Sequence, residues 1–332
     1  MASPARIYKD ILDEHRRRMI RLADRHGVAN LKKLYDDAQA ELERRLHEVA
    51  RRYGNSFTAH QHRVFLAQIR QGQSVIARRL AGALGDVSRE AQVDSLRGLI
   101  SDMTRLERKF TGAAVALPVE EASRFRGVID GRRQSLLRAH EASMANYGAA
   151  VVASTEDALG LSLATGENAS EAIDRVMDVT TGEWWQAERI VRTEVLGAFN
   201  ATYYDGLAAT AEEIPDIMMR WVEHVDDTTY TPLDDRVGDD SVALHGQVAP
   251  VGGVFTFPET MPGGGPVNPK TLERMQRDYP GGWMFPPNRP NDRATLSAWR
   301  PHWGVSAWRC VDGQRIPMKV GRAPGLPESI PG

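Results

Sequence analysis

The chain holds a single cysteine, Cys310, among 332 residues. That excludes an intrachain disulfide framework and a Cys-rich zinc module, and it is the usage expected of a protein made in a reducing cytosol. Trp308 and Arg309 beside it give no fixed activation of the thiol, so Cys310 reads as a bystander. Proline is missing between Pro4 and Phe110, so nothing in the first third of the chain forces a helix to stop. No run approaches about 18 consecutive apolar residues. Charges in MASPARIYKDILDEH interrupt any apolar core of a signal peptide, so neither a membrane span nor export by such a peptide is expected. The phosphate-binding G-x-x-x-x-G-K-(S/T), the metal-binding H-E-x-x-H, the nucleophile elbow G-x-S-x-G and a usable dinucleotide fingerprint are all absent. The glycines of Pro262-Gly263-Gly264-Gly265-Pro266 are flanked by proline instead of a strand and a helix, which makes a loop and not a phosphate cradle.

What is present is an ordinary globular composition, 42% hydrophobic and 26% charged, on a chain long enough for two domains. The formal net charge of −2 conceals an asymmetry: residues 1–110 carry +8 and the remainder −10. Apolar residues at three- and four-residue spacing, such as Leu31, Leu34, Ala38, Leu42, Leu46 and Val49, predict long amphipathic helices from Ile7 to about Phe110. Breaks are expected at Gly27, at Tyr53-Gly54-Asn55-Ser56 with Ser56 or Thr58 as the next cap, and at Gly85-Asp86. Residues 112–118 read as a joint. A second helical group follows from Val119 to Ser154, then a turn with Gly160 and Thr165-Gly166, and a short helix Glu171–Met177 preceded by Ser170. Thr180-x-x-Glu183 has the form of a capping box opening a helix from Trp184 to about Leu207, with Trp185, Ile190, Phe199 and Tyr203 on its buried face. After Pro215 short β-prone runs appear, Met219–Val222 and Gly253–Phe257. The expected fold is α+β: a large helical region, residues 1–208, then a small mixed, loop-rich domain, 209–319, and an extended tail, 320–332.

Trp221 and Asp226 precede Ala243-Leu244-His245-Gly246-Gln247-Val248, and Pro286-Pro287-Asn288-Arg289-Pro290-Asn291-Asp292-Arg293 follows. This order resembles the head morphogenesis family of tailed bacteriophages, minor capsid proteins typified by the phage Mu F protein. The family pattern runs W, D, R-x-x-H-x-x-L-H-G-(K/Q)-V, then P-P and a terminal C-R-C. Arg192-Thr193-Glu194 and Asn200 resemble its R-T-E and N positions, so the likeness covers residues 185 to 300. Ser241 stands where the family places its first His, and Asp292 and Ala294 flank Arg293 where the family has two Cys. The resemblance implies a structural minor head protein, present in the virion interior at or near the portal and made in the host bacterial cytoplasm. It would act in capsid assembly or in DNA packaging or delivery. Its expected partners are the portal protein and other head proteins, with genomic DNA as a further candidate and no membrane. In that reading Trp221 anchors the core, Asp226, Arg236, His245, Gly246, Asp292 and Arg293 form a polar clasp, and Arg192 and Glu194 brace it from the preceding helix. No cofactor and no catalytic residue is expected.

Two chemical readings stay open beside this one. The run Glu223, Asp226, Asp227, Asp234, Asp235, Asp239, Asp240 is either a solvated acidic loop or a hard-cation site, and His224, Asp226 and His245 together have the donor types of a mixed nitrogen and oxygen metal site. A metal-dependent hydrolase or toxin-like effector would need such a site. Asp292 alternatively pairs with Arg236 or Arg293 where a metal would otherwise tie strands together. The arginines of the front, Arg16, Arg17, Arg18, Arg44, Arg45, Arg51 and Arg52, either line solvated helix faces through pairs such as Glu41 with Arg44 or present a surface to nucleic acid or an acidic partner, as in a nucleic-acid-binding virion protein.

Overall fold

The proline-free front is helical throughout. In the computed structural model, which describes residues 4–111, 121–226, 229–233, 237–286, 292–319 and 321, helix α1 (Pro4–Arg21) runs through a π-helical turn, Leu22–Val28, into α2 (Ala29–Tyr53). Gly27 therefore marks a widened turn and not an end; it is buried within that turn. Helix α2 does end at Gly54, whose φ of 86° suits a residue without a side chain. Thr58 and Gln61 then cap α3 (Ala59–Thr111): Gln61 N donates to Thr58 Oγ1 at 3.3 Å and Thr58 N to Gln61 Oε1 at 3.0 Å. The stop suggested by Gly85-Asp86 does not occur. One glycine costs a helix only about 1 kcal/mol, and the stripe of Leu80, Leu84, Val87 and Ala91 is buried on both sides of it.

The joint at 112–118 lies outside the described residues. Helix α4 (Glu121–Thr165) passes through Ser154 and Gly160 and gives way to Gly166 at φ 73°. The next helix, α5 (Ala169–Gly182), opens at Asn168 instead of Ser170: Asn168 Oδ1 accepts from Ser170 N and Glu171 N, and Glu171 Oε2 accepts from Asn168 N at 2.8 Å. Thr180 and Glu183 form no such box. Thr180 is buried inside α5 with its hydroxyl donating to Met177 O, and Glu183 closes α5 through its own N–H to Val179 O. In α6 (Trp184–Ala211) the inward-facing tryptophan is Trp184, 8% exposed, and not Trp185, 55% exposed. Trp184 stacks on Tyr35, with ring centroids 4.9 Å apart.

Strands follow as the sequence leads one to expect of an α+β chain. β1 (Met218–Val222) lies between β2 (Val248–Pro250) and β3 (Thr295–Trp299), both antiparallel to it, with Arg220 opposite Val248 and Trp221 opposite Leu296. Helix α7 (Asp239–Leu244) leads into β2, and α8 (Pro269–Asp278) lies between β2 and β3. The β-prone run at Gly253–Phe257 contributes only a bridge, Phe255 to Trp283. A hairpin, β4 (Trp308–Val311) and β5 (Gln314–Pro317), turns on Asp312 and Gly313, both at positive φ (50° and 78°), the geometry for which Asp-Gly is suited.

Contacts group the chain into two units that do not follow a boundary at residue 208. One contains residues 1–22, 89–132 and 196–332; the other contains 23–88 and 133–195. The second unit is helical, with Leu42, Leu46, Phe65, Ile69, Ile173 and Val176 at its centre. In the first, β3 occupies an edge of its sheet, yet all five of its residues are buried. Its outward peptide groups therefore need partners. Asn200 of α6 accepts from Leu296 N (3.0 Å) and donates to Ala294 O (3.0 Å); Tyr203 Oη accepts from Ala298 N (3.3 Å); Tyr8 of α1 donates to Ala298 O (2.7 Å). Burial raises the pKa of both tyrosines, which keeps the hydroxyls neutral.

In the helical unit a buried histidine faces a part-buried carboxyl group. His140 Nε2 lies 3.5 Å from Glu194 Oε2 and 3.4 Å from Ser88 Oγ, while Ser143 Oγ donates to Glu194 Oε1. Burial lowers the His140 pKa from 6.5 to about 4 and raises that of Glu194. For His140 the folded value is the lower one, so its contribution to stability is present above pH 6.5 and lost as pH falls toward 4. Glu194 acts in the opposite sense. His140→Gln should remove about 2 kcal/mol of the stability loss between pH 6.5 and 4.5. Denaturant midpoints of the two proteins across that range check this, and parallel pH profiles would refute it.

Candidate functional site

The residues that carry the sequence likeness meet on the sheet of the strand-bearing unit. β1 presents Trp221, wholly buried, with Phe255 edge-on at 5.3 Å and Trp283 at 6.5 Å. Its indole Nε1 has no hydrogen-bond partner, so Trp221 serves by volume. Its peptide group is used instead: Trp221 N donates to Gln247 O and Gly246 N donates to Trp221 O, each at 2.9 Å. Gly246 sits at φ 79°, and a Cβ there would come within 3.3 Å of Trp308 Nε1. Both facts account for glycine after His245.

His245 is 3% exposed and closes the same loop. Its Nδ1 accepts from Glu223 N at 3.1 Å, which leaves the proton of the neutral ring on Nε2. Its carbonyl accepts from Trp308 Nε1 at 2.9 Å, so one residue links β1 to the β4–β5 hairpin. Ser241 and Asp292, both fully buried, are joined by a hydrogen bond from Ser241 Oγ to Asp292 Oδ1 at 3.1 Å. These two positions, where the resembling family places His and Cys, are thus in contact. A serine hydroxyl directed at a buried carboxylate and an imidazole taking a peptide N–H fix backbone positions.

The remaining expectations divide. Asp226 shapes a loop: its Oδ1 accepts from Thr229 N (2.9 Å) and its own N–H donates to Thr231 O (2.9 Å). His224, Asp226 and His245 do not form a group that could hold a metal ion, nor do any other three His, Cys, Asp or Glu side chains among the described residues. With Asp226 committed to Thr229 and His245 Nδ1 to Glu223, the geometry does not converge. Arg236 lies outside the described residues, as do Asp227, Asp234 and Asp235. Arg293 is partly buried beside Asp292 in the chain.

Arg192 and Glu194 do not brace this sheet. Both lie in the helical unit, where Arg192 Nε donates to Asp24 (2.6 Å) and pairs with Glu188, and Glu194 meets Ser143 and His140. The bracing residue is Asn200, further along the same helix. Nothing in the spacing distinguishes the two, because the break between units falls inside α6.

The front arginines are mostly engaged within the fold. Arg16 is only 2% exposed; it pairs with Asp13 and donates to Glu223 O at 2.7 Å. It belongs to the interior, a role its triple-arginine context hides. Arg17 donates to Asp13 O, and Arg18 lies 3.6 Å from Glu14 and 3.7 Å from Asp94. Arg44 pairs with Glu41 and Glu48, and Arg45 with Glu41. Arg51 and Arg52 are exposed, Arg52 lying over the Tyr53 ring at 5.7 Å.

Sequence reading missed one further constellation, Asp102, His15 and Thr295. His15 Nδ1 is 3.1 Å from Asp102 Oδ2 and its Nε2 is 3.2 Å from Thr295 Oγ1. The order is that of a nucleophile relay. All three are at most 5% exposed, however, and the Thr295 hydroxyl donates to Asn200 Oδ1 at 2.9 Å. The arrangement joins α1, α3 and β3; positions so distant in sequence offer no local signal.

Compared with family models, curated proteins and solved structures, the chain matches none.

Trp221→Ala should destabilise the strand-bearing unit by about 3 to 5 kcal/mol, as for other buried aromatics cut back to Ala. Trp221→Phe should cost about 1 to 2 kcal/mol, because no hydrogen bond of the indole is lost. Denaturant unfolding measures both. A Trp221→Ala protein as stable as the parent would refute this packing role.

Proposed function

We propose that this chain is a structural minor head protein of a tailed bacteriophage or prophage, held at the portal in the capsid interior and acting in head assembly or in DNA packaging or delivery. The reading rests on the order Trp221, Asp226, Leu244-His245-Gly246-Gln247-Val248 and Asp292-Arg293, whose likeness to the head morphogenesis family is carried by several segments at once. One observation supports assigning these residues to structure: Trp221, Ser241, His245, Gly246 and Asp292 are buried and bonded to backbone or to one another. Motif residues used in this way hold a shape that a partner reads, and no step of a reaction is assigned to them.

Co-expression with the portal protein of the same phage genome tests the reading. The tagged chain should retain the portal through purification, and mass spectrometry of purified particles should find the chain in them. Absence from particles, with no portal retained, would sink it.

Genome contact is a separate matter. The acids within helical reach of Arg16, Arg17, Arg18, Arg44 and Arg45 compete with phosphate for their guanidinium groups. Retention on duplex DNA should therefore be weak at physiological salt, and replacing Arg17 and Arg18 together with Gln should change it little. A steep dependence of log affinity on log salt, about −0.9 per phosphate neutralised, that flattens in the double variant would instead identify a phosphate-binding face.

A further inference from the structure

A cleft of about 500 Å³ opens in the strand-bearing unit beside Gly246. Four cationic residues line it, Arg6, Lys9, Arg220 and Arg315, and no Asp or Glu among the described residues does. In a chain with 44 acidic and 42 basic residues that segregation is unusual, and Arg220 contrasts with other arginines of its unit. Arg300 pairs with Glu107 and Asp216, each at 2.6 Å, and Arg132 with Asp205. Arg220 is 7% exposed and makes no ion pair, and its Nε has no hydrogen-bond partner. Its compensation is the Tyr8 ring, 5.2 Å from Cζ.

Arg315 shows the same bias. It lies over the Trp308 ring at 3.8 Å and donates to the carbonyls of Thr260 and Ala243. Burial pulls its pKa down to about 10. Stacking on a ring offsets part of the desolvation of a guanidinium, but a buried cation without a counter-charge stays costly. A fold that keeps Arg220 in that state, with the part-buried Arg315 facing the same cavity, leaves an anion as the missing partner. Arg6 and Lys9 are more exposed and add positive charge toward the opening, while Leu12, Val305 and Pro317 supply apolar wall.

We propose that this cleft binds a small organic anion, an oxyanion head on an apolar body, with Arg220 donating its fork of N–H groups to the head and the apolar wall packing the rest. The cavity is of the size that encloses such ligands. A carboxylate and a phosphate monoester share the planar or tetrahedral acceptor array that a guanidinium fork matches, and the measurement separates them.

Calorimetric titration of the full chain with phenyl phosphate, benzoate, inorganic phosphate and phenol, with tryptophan fluorescence followed alongside, tests the site. Phenyl phosphate or benzoate should bind with a stoichiometry of one, and whichever binds more tightly identifies the head. Phenol and inorganic phosphate should each bind about tenfold more weakly, since one lacks the charge and the other the body. Arg220→Met should weaken binding by about tenfold or more while melting no lower than the parent, because it replaces an unpaired buried cation with an apolar chain of similar length. Should that variant fail to fold, Arg6→Gln with Lys9→Gln decides: weaker binding that grows steeper in salt dependence for the parent than for the variant supports the site. Phenol binding as well as the anions, no anion binding at millimolar concentration, or affinity unchanged in both variants would overturn it.

Discussion

The outer edge of β3 is the constraint on which the strand-bearing unit depends. A strand at a sheet edge normally meets water; here every residue from Thr295 to Trp299 is buried, so each outward N–H and C=O must be bonded by something other than a strand. Side chains of α1 and α6 do this, with Tyr8, Asn200 and Tyr203 spaced to reach Ala294, Leu296 and Ala298. Loss of any one would strand a buried peptide group, which costs more than the hydrogen bond itself contributes. The closure sets the position of β3, β3 sets β1 through five paired residues, and β1 carries Trp221 and the peptide groups that hold Gly246 and Gln247. It also explains why residues 1–22 cluster with 196–332: the strands have no finished edge without the first helix.

Local signals were legible and distant ones were not. The helical front, the stop at Gly54, the Thr58 cap, the turn at Gly166 and β1 follow from spacing, capping and turn chemistry within a few residues. The Asp312-Gly313 hairpin is equally legible, because Asp-Gly between two short runs is a strong turn signal. What failed were judgements that need a partner. Whether Trp184 or Trp185 faces inward depends on Tyr35, and whether Arg16 is surface or interior depends on Glu223 O. A domain boundary at residue 208 misses that the front supplies both the edge closure and the His15–Asp102 link. Of the candidate clasp, the burial of Trp221 and the turn at Gly246 could be read from residue type, whereas the Ser241–Asp292 contact could not.

That contact bears on how the domain keeps its shape. At the positions where the resembling family has His and Cys, a bound metal would tie segments with the strength of coordination. The hydrogen bond between Ser241 and Asp292, taken by itself, is far weaker than coordination. The aromatic group of Trp221, Phe255 and Trp283 and the bonds from His245 to Glu223 and Trp308 hold the same sheet. These are distributed contacts, each modest on its own.

Charge in this chain is organised by pairing, not by its formal sum. The net +8 of the front already counts the acids that Arg16, Arg18, Arg44 and Arg45 meet one helical turn away or across a short gap, so the positive excess is carried by other side chains. Against that background Arg220 stands apart. A buried guanidinium held by an aromatic ring and no acid lowers the stability of the empty fold relative to an apolar residue in its place. The same cost becomes affinity when an anion enters, since the desolvation has already been met in the folded state and the donors are already oriented. Stability given up at one site and regained on occupancy is the physical signature that separates a binding residue from a structural one.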